Sequence, residues 1–247
     1  MSAVPGPWRV HHRAVTGSTN ADALEGASGD VFTADFQTAG RGRLDHRWLS
    51  QPGECLMMSA VIGVEGQSPD EIAALPLVVG LAVADMVAGF LPGTGDSVRI
   101  KWPNDVLVAE RKICGILCER KGDRVIAGIG LNVNQRMFPD EISGRATSLC
   151  MELDRKGALR LDEVRDAVLD RLGTALCVWR RDGFAALLPK IARFDFLKGR
   201  TVCVRRTDDD AAPASGECGG IQPDGSLLVG GERIFAGEAH VLFRYSP

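Results

Sequence analysis

The chain has 247 residues, 45% of them hydrophobic and 25% charged, with a formal net charge of −3. That balance suits one large soluble domain, or one domain with a small appendix, and excludes a chain dominated by disorder. The mild negative charge gives no global attraction to nucleic acid or to an anionic membrane, so any anion binding must come from a local basic loop.

From the start, Met1 to Val10 is broken by Pro5, Gly6 and Pro7 and has no apolar run after a basic segment, so no signal peptide is read there. Gly17-Ser18-Thr19-Asn20 precedes a helix-friendly stretch, Ala21 to Glu25, with Ser18 or Thr19 as its N-cap. Val31 to Gln37 reads as a strand, Gly40 to Trp48 as a glycine- and arginine-rich loop, and Leu56 to Gly63 as a second apolar strand. Ser68-Pro69-Asp70-Glu71 has the form of a helix start, with a serine cap, proline at N1 and glutamate at N3. The helical run that follows reaches about Phe90 and is restarted or kinked at Pro76. Ile72 to Leu91 is apolar, but Pro76, Asp85 and two glycines make it a buried core helix and not a membrane span.

Val98 to Lys101, Val106 to Val108, Lys112 to Arg120 and Arg124 to Asn132 predict an antiparallel meander. Leu161, Val164, Val168, Leu172, Ala175, Leu176 and Trp179 mark a long amphipathic helix packed on the sheet, and Phe184 to Phe194 a second helix. Beyond a boundary near Leu197 the character changes. Thr201 to Arg206, Gly216 to Ile221, Ser226 to Val229, Arg233 to Ala236 and Val241 to Tyr245 are short strand-like pieces between Asp, Gly and Pro turns, the pattern of a small β-barrel. The seven cysteines, Cys55, Cys114, Cys118, Cys150, Cys177, Cys203 and Cys218, have no zinc spacing and read as reduced thiols of a cytosolic protein.

Four segments carry chemistry. Gly40-Arg41-Gly42-Arg43, followed by Leu44-Asp45-His46-Arg47-Trp48, joins phosphate-binding guanidinium forks to glycines that let a ligand approach the backbone, with an indole for stacking. A solvated basic turn is the equal alternative for that loop alone. Lys101-Trp102-Pro103-Asn104-Asp105 ends one strand and opens another, where a lysine can reach a cleft and stabilise developing charge, or simply cap a sheet edge. Gly115, within Lys112 to Glu119, and Gly128 and Gly130, ahead of Asn132 and Asn134, would floor a narrow groove for a slim apolar ligand; bulges in a packed core would serve as well. There is no Gly-x4-Gly-Lys-Ser/Thr loop, nucleophile elbow or His-Glu-x-x-His site. Two partial dinucleotide fingerprints, at Gly93-Thr94-Gly95 and Gly128-Ile129-Gly130, have Val98 and Val133 where the third glycine belongs. His11, His12, His46 and His240 form no constellation with a nucleophile, and the first two read as surface residues.

In order and spacing, these segments resemble biotin protein ligases. The resemblance rests on Gly17-Ser18-Thr19-Asn20, Gln37 to Arg43, Trp48, Lys101 to Asp105, Lys112-x-x-Gly115-x-Leu117-x-Glu119 and Gly128 to Asn134, and extends through Ala146-Thr147-Ser148-Leu149 and Lys198-Gly199-Arg200-x-Val202. It implies an α+β fold of the class II synthetase-like kind. A mixed β-sheet backed by helices would span residues 1–196, with a small C-terminal SH3-like β-barrel over 197–247. It implies that biotin is adenylated with ATP and then transferred to a lysine of a biotin carboxyl carrier protein of an acyl-CoA carboxylase. Ser18, Thr19, Asn20, Gln37, Gly40 and Arg41 would bind biotin, with Gly115, Leu117, Gly128 and Gly130 lining the slot. Lys101 and Arg43 would be catalytic, and Arg41, Arg43, Trp48, Lys101, Asn104 and Asn132 would hold the nucleotide. Mg²⁺ would enter on the ATP phosphates, without a dedicated protein ligand. Asp45 departs from the family pattern, placing a carboxylate where a glycine is common. The regulatory members' winged helix would need far more chain than the 16 residues before Gly17, so no DNA partner is expected, and no membrane. Family members pair sheets side by side as homodimers, but no segment here compels it. A lipoate or octanoate ligase or transferase is the nearest rival reading, and a non-catalytic biotin-binding module another.

Overall fold

The computed structural model describes residues 7–43, 47–48, 50–91, 93, 97–206 and 212–242. Leu44, Asp45 and His46 of the basic loop lie outside them, as do Thr94 and Gly95 of one partial fingerprint.

Seven strands make one mixed sheet: β1 (Arg9–Thr16), β2 (Asp30–Gln37), β3 (Cys55–Gly63), β4 (Val98–Lys101), β5 (Asp105–Val108), β6 (Arg111–Lys121) and β7 (Arg124–Asn132), in the order β1-β2-β3-β7-β6-β5-β4. The β4 to β7 meander forms where turn residues alternate with apolar runs, and Gly122, at φ 62°, supplies the left-handed residue of the β6–β7 turn. Strand β1, absent from the sequence reading, pairs parallel with β2. Only Thr16 of its eight residues is buried, so it carries no apolar alternation to detect. Backbone pairing, the Arg9–Asp30 ion pair at 2.8 Å and the His11 ring stacked on Phe32 hold it instead.

One face of the sheet is covered by α3 (Leu75–Phe90), preceded by the short α2 (Pro69–Ala73). The Ser68 hydroxyl accepts from the Glu71 amide, as the cap motif requires, while the Glu71 carboxylate turns to the Phe184 amide. Helix α3 is buried nearly all round because α6 (Leu161–Asp182) packs on its far side. The sheet-packing expectation for α6 is therefore corrected: its Val164, Val168, Leu172, Leu176 and Trp179 stripe meets α3 first and β3 only in part. Phe184 to Phe194 is also two pieces, a 3-10 turn (Phe184–Ala186) and α7 (Leu188–Phe194), because Pro189 starts a new helix. No described helix is long and apolar enough to cross a membrane.

The C-terminal strands β8 (Thr201–Arg205), β9 (Ala214–Ile221), β10 (Leu227–Val229), β11 (Glu232–Ile234) and β12 (Glu238–Val241) form a second, antiparallel sheet in the order β11-β10-β9-β8-β12, consistent with an SH3-like domain. The last strand begins three residues before its expected start, and 243–247 lie outside the described residues. The two sheets share one hydrophobic cluster, and the buried Trp102 donates its indole N–H to the Gly225 carbonyl at 3.1 Å.

Candidate active site

Strand register assembles the site. On the sheet face away from α3, paired residues fall into rows: Ser59, Gly128 and Leu117 in one, and Met57, Gly130, Gly115, Asp105 and Lys101 in the next. The missing side chains of Gly128, Gly130 and Gly115 leave a shallow saddle between these rows. Lys101, at the end of β4, lies three strands from Gly130, about 14 Å at the usual interstrand spacing. It is half-buried and has no side-chain hydrogen bond or ion pair among the described residues.

At the Gly128 end the polar groups are closely knit. The helix α1 (Thr19–Asp22) presents Thr19 and Asn20, each 4% exposed. Ser18 occupies the N-cap position, but its side chain makes no cap hydrogen bond. Gln37 Oε1 accepts from the Thr19 amide at 2.7 Å and lies 3.1 Å from its hydroxyl. Asn20 Nδ2 donates to Glu119 Oε2 at 2.6 Å and to the Leu117 carbonyl at 3.3 Å. A Cβ at Gly128 would stand 2.2 Å from Asn20 Oδ1. Arg41, otherwise exposed, donates to the same Glu119 oxygen at 3.0 Å.

The other end is covered by the loop. The amide of Trp48 donates to the Gly40 carbonyl, and Arg41 bridges Arg47, so the Gly/Arg segment folds back on itself. Gly40 is required there, since a Cβ would meet the Trp48 carbonyl oxygen at 2.6 Å. The Trp48 ring lies on the saddle, where a Cβ at Gly130 would be 2.6 Å from it and one at Gly115 3.0 Å. Lys112, paired with Asp105 at 2.7 Å, sits 5.9 Å from the ring centre. The buried indole N–H has no hydrogen-bond partner among the described residues.

The remaining sequence candidates are placed differently from one another. Arg43 donates to Asn104 Oδ1 at 3.2 Å and to the Gly237 carbonyl at 3.2 Å, and burial lowers its pKa. Asn104 in turn donates to the Ile116 carbonyl at 2.8 Å. Asn132 shares the slot face but is 5% exposed, donating to the Thr147 carbonyl at 3.0 Å and accepting from the Cys55 thiol at 3.3 Å. Burial pushes that thiol up to about 12. Ser59 was missed by sequence reading, although it is a lone hydroxyl in the apolar run from Leu56 to Ile62. Among the described residues no three His, Cys, Asp or Glu side chains gather as a metal site.

The chain is similar to known proteins. Residues 13–135 match the model of the biotin/lipoate A/B protein ligase family. A biotin--[acetyl-CoA-carboxylase] ligase of Paracoccus denitrificans is 31% identical over 234 residues, covering 87% of this chain and 92% of that one. The Mycobacterium tuberculosis protein of the same name is 40% identical over 142 residues, 55% of this chain and 53% of its own. A bifunctional ligase/repressor of Bacillus subtilis is 37% identical over 174 residues, 64% of this chain. The chain spans 52% of that relative's length, about half, as for the Mycobacterium protein. Among solved structures, the biotin protein ligase from Aquifex aeolicus in complex with biotin and ATP superposes with a TM-score of 0.81 at 31% identity, covering 95% of this chain and 98% of that one.

Proposed function

Since the chain belongs to the biotin/lipoate A/B protein ligase family, we propose that it is a biotin protein ligase, acting in the cytoplasm on a biotin carboxyl carrier protein of an acyl-CoA carboxylase. The observation that carries this reading is the glycine saddle with a desolvated polar cluster at one end and, in the Gly130 row, a lysine unpartnered among the described residues. Seven free cysteines agree with a reducing compartment.

In this reading, residues 1–196 form the catalytic domain and 197–247 the SH3-like one. Ser18, Thr19, Asn20, Gln37, Gly40 and Arg41 hold the ureido end of biotin, and Gly115, Leu117, Gly128 and Gly130 line its slot. The biotin carboxylate attacks the α-phosphate of ATP, forming biotinyl-5'-AMP and releasing pyrophosphate. A carrier lysine amine then attacks the acyl carbon, and AMP leaves. No protein nucleophile is needed, only positioning and charge neutralisation. Lys101 supplies the charge at the carboxylate and α-phosphate, and Arg41 and Arg43 contact phosphate. Trp48 and Asn104 face the nucleotide, and Asn132 supports that end through Thr147 and Cys55. Lys101, the charged group of this row with no partner among the described residues, is a cation, which suits a polyphosphate better than a bare metal ion, so Mg²⁺ would arrive on ATP.

ATP–pyrophosphate exchange with biotin, lipoate and octanoate tests the proposal. Exchange with biotin is expected; exchange with lipoate or octanoate alone would move the chain to the lipoate side of the family.

A further inference from the structure

Ser59 is fully buried in the middle of β3, and its hydroxyl oxygen lies 2.6 Å from Asn20 Oδ1 and 2.7 Å from Thr19 Oγ1. One hydroxyl proton cannot serve both contacts. The Glu119 carboxylate decides between them, because it can only accept. It takes an Asn20 amide proton from Nδ2 at 2.6 Å, and the Leu117 carbonyl accepts from the same nitrogen at 3.3 Å, which turns Oδ1 toward Ser59. Ser59 therefore donates to Asn20, and the 2.7 Å contact with Thr19 takes the Thr19 proton in preference to the longer 3.1 Å contact between Thr19 Oγ1 and Gln37 Oε1. Gln37 Oε1 is already occupied by the Thr19 amide at 2.7 Å, so Gln37 must present Nε2, a donor with no partner among the described residues.

From this bookkeeping we infer that Ser59 and Glu119 are positioning residues that set the proton direction of the chain Thr19–Ser59–Asn20–Glu119. They leave Thr19 Oγ1 as an acceptor beside the Gln37 Nε2 donor. A desolvated acceptor next to a donor selects a head group carrying both an N–H and a carbonyl, such as a cyclic urea, and disfavours an acid whose head has neither, such as lipoate or octanoate. Arg41, 3.0 Å from Glu119, pairs with the carboxylate at the far end. The inference rests on the ligase reading and adds the origin of its substrate choice.

The test is exchange kinetics on the full chain with Glu119→Leu, Ser59→Ala and Ser59→Cys, alongside thermal melting. Glu119→Leu removes the acceptor, which a glutamine would keep in its amide oxygen, and sits on a side chain that is 32% exposed, so it reports even where a change at Ser59 impairs folding. The expected result is a biotin KM raised by about 10-fold or more in Glu119→Leu, with kcat and the ATP KM within about 2-fold. Ser59→Cys should recover part of what Ser59→Ala loses, through its weak S–H donor. An unchanged biotin KM in folded Glu119→Leu, with active wild type, would overturn the relay alone; so would equal losses in kcat and ATP KM. Wild-type protein that fails to exchange with biotin would overturn the ligase reading and the relay with it.

Discussion

The two ends of the glycine saddle are built on opposite plans. At Gly128 the floor meets a carboxamide whose every polar atom is engaged, in a chain running from Gln37 to Arg41. At Gly130 and Gly115 it meets an indole delivered by a loop, with an N–H that has no acceptor among the described residues. A buried N–H left without a partner costs about 1–3 kcal/mol, against which the ring's apolar contacts must be set. The first end is therefore fixed by side-chain hydrogen bonds before any ligand arrives, while the indole at the second is held by ring contacts and can be displaced at small cost.

The largest expected effect lies beyond both ends, at Lys101. Lys101→Ala should lower biotin-dependent exchange by about 10²–10³-fold, in the range seen when one preorganised charge-stabilising donor is removed. Its melting temperature should stay within about 2 °C of wild type, since the side chain holds nothing else. Normal exchange in a folded variant would remove Lys101 from the mechanism.

The contrast between the ends is sharpened by two alanines. At Gly128 the new methyl must expel the Asn20 carboxamide, so a loss of about 1–3 kcal/mol and a raised biotin KM are expected. At Gly130 it need only push the Trp48 ring, and stability should change by less than about 1 kcal/mol. Denaturant melts that give equal losses would erase the distinction.

A smaller effect is optical. The indoles of Trp8, Trp102 and Trp179 each donate to a backbone carbonyl, whereas Trp48 does not. Biotin titration should shift the emission of wild-type protein and leave that of Trp48→Phe nearly unchanged. A persisting shift in the variant would place the response in another tryptophan. The smallest change is expected at the core thiols. Burial holds Cys55 at about 12 and raises Cys114 further, so both stay protonated and resist a disulfide reagent at pH 8 in the folded protein. Rapid labelling of either in native protein would show that the slot floor opens.

Much of this was legible from residue order. The apolar runs of β2, β3 and the β4–β7 meander alternate cleanly with turn residues, and the Ser68 cap announces its helix. Strand β1 was not legible, because it is exposed and owes its place to backbone pairing with β2. The glycines, Thr19, Gln37 and Lys101 could be named in advance, but only register shows that Lys101 and Gly130 share a row. Asn132 stands in a ligand-like motif, yet its amide is spent internally, which spacing along a strand cannot reveal. Ser59 illustrates the converse, a residue with no motif whose importance comes from the two side chains it happens to join.

Arg43 ties three parts of the molecule together, the Gly/Arg loop that carries it, Asn104 in the β4–β5 turn and Gly237 ahead of β12. A guanidinium has five donors but one position, so an anion that draws it into the cleft must release the Gly237 carbonyl. Cleft occupancy and the seating of the C-terminal sheet would then be in thermodynamic linkage, and linkage is reciprocal. A partner that shifts the small sheet on docking would alter the grip on an anion in the cleft, by the same free energy with which the anion alters docking.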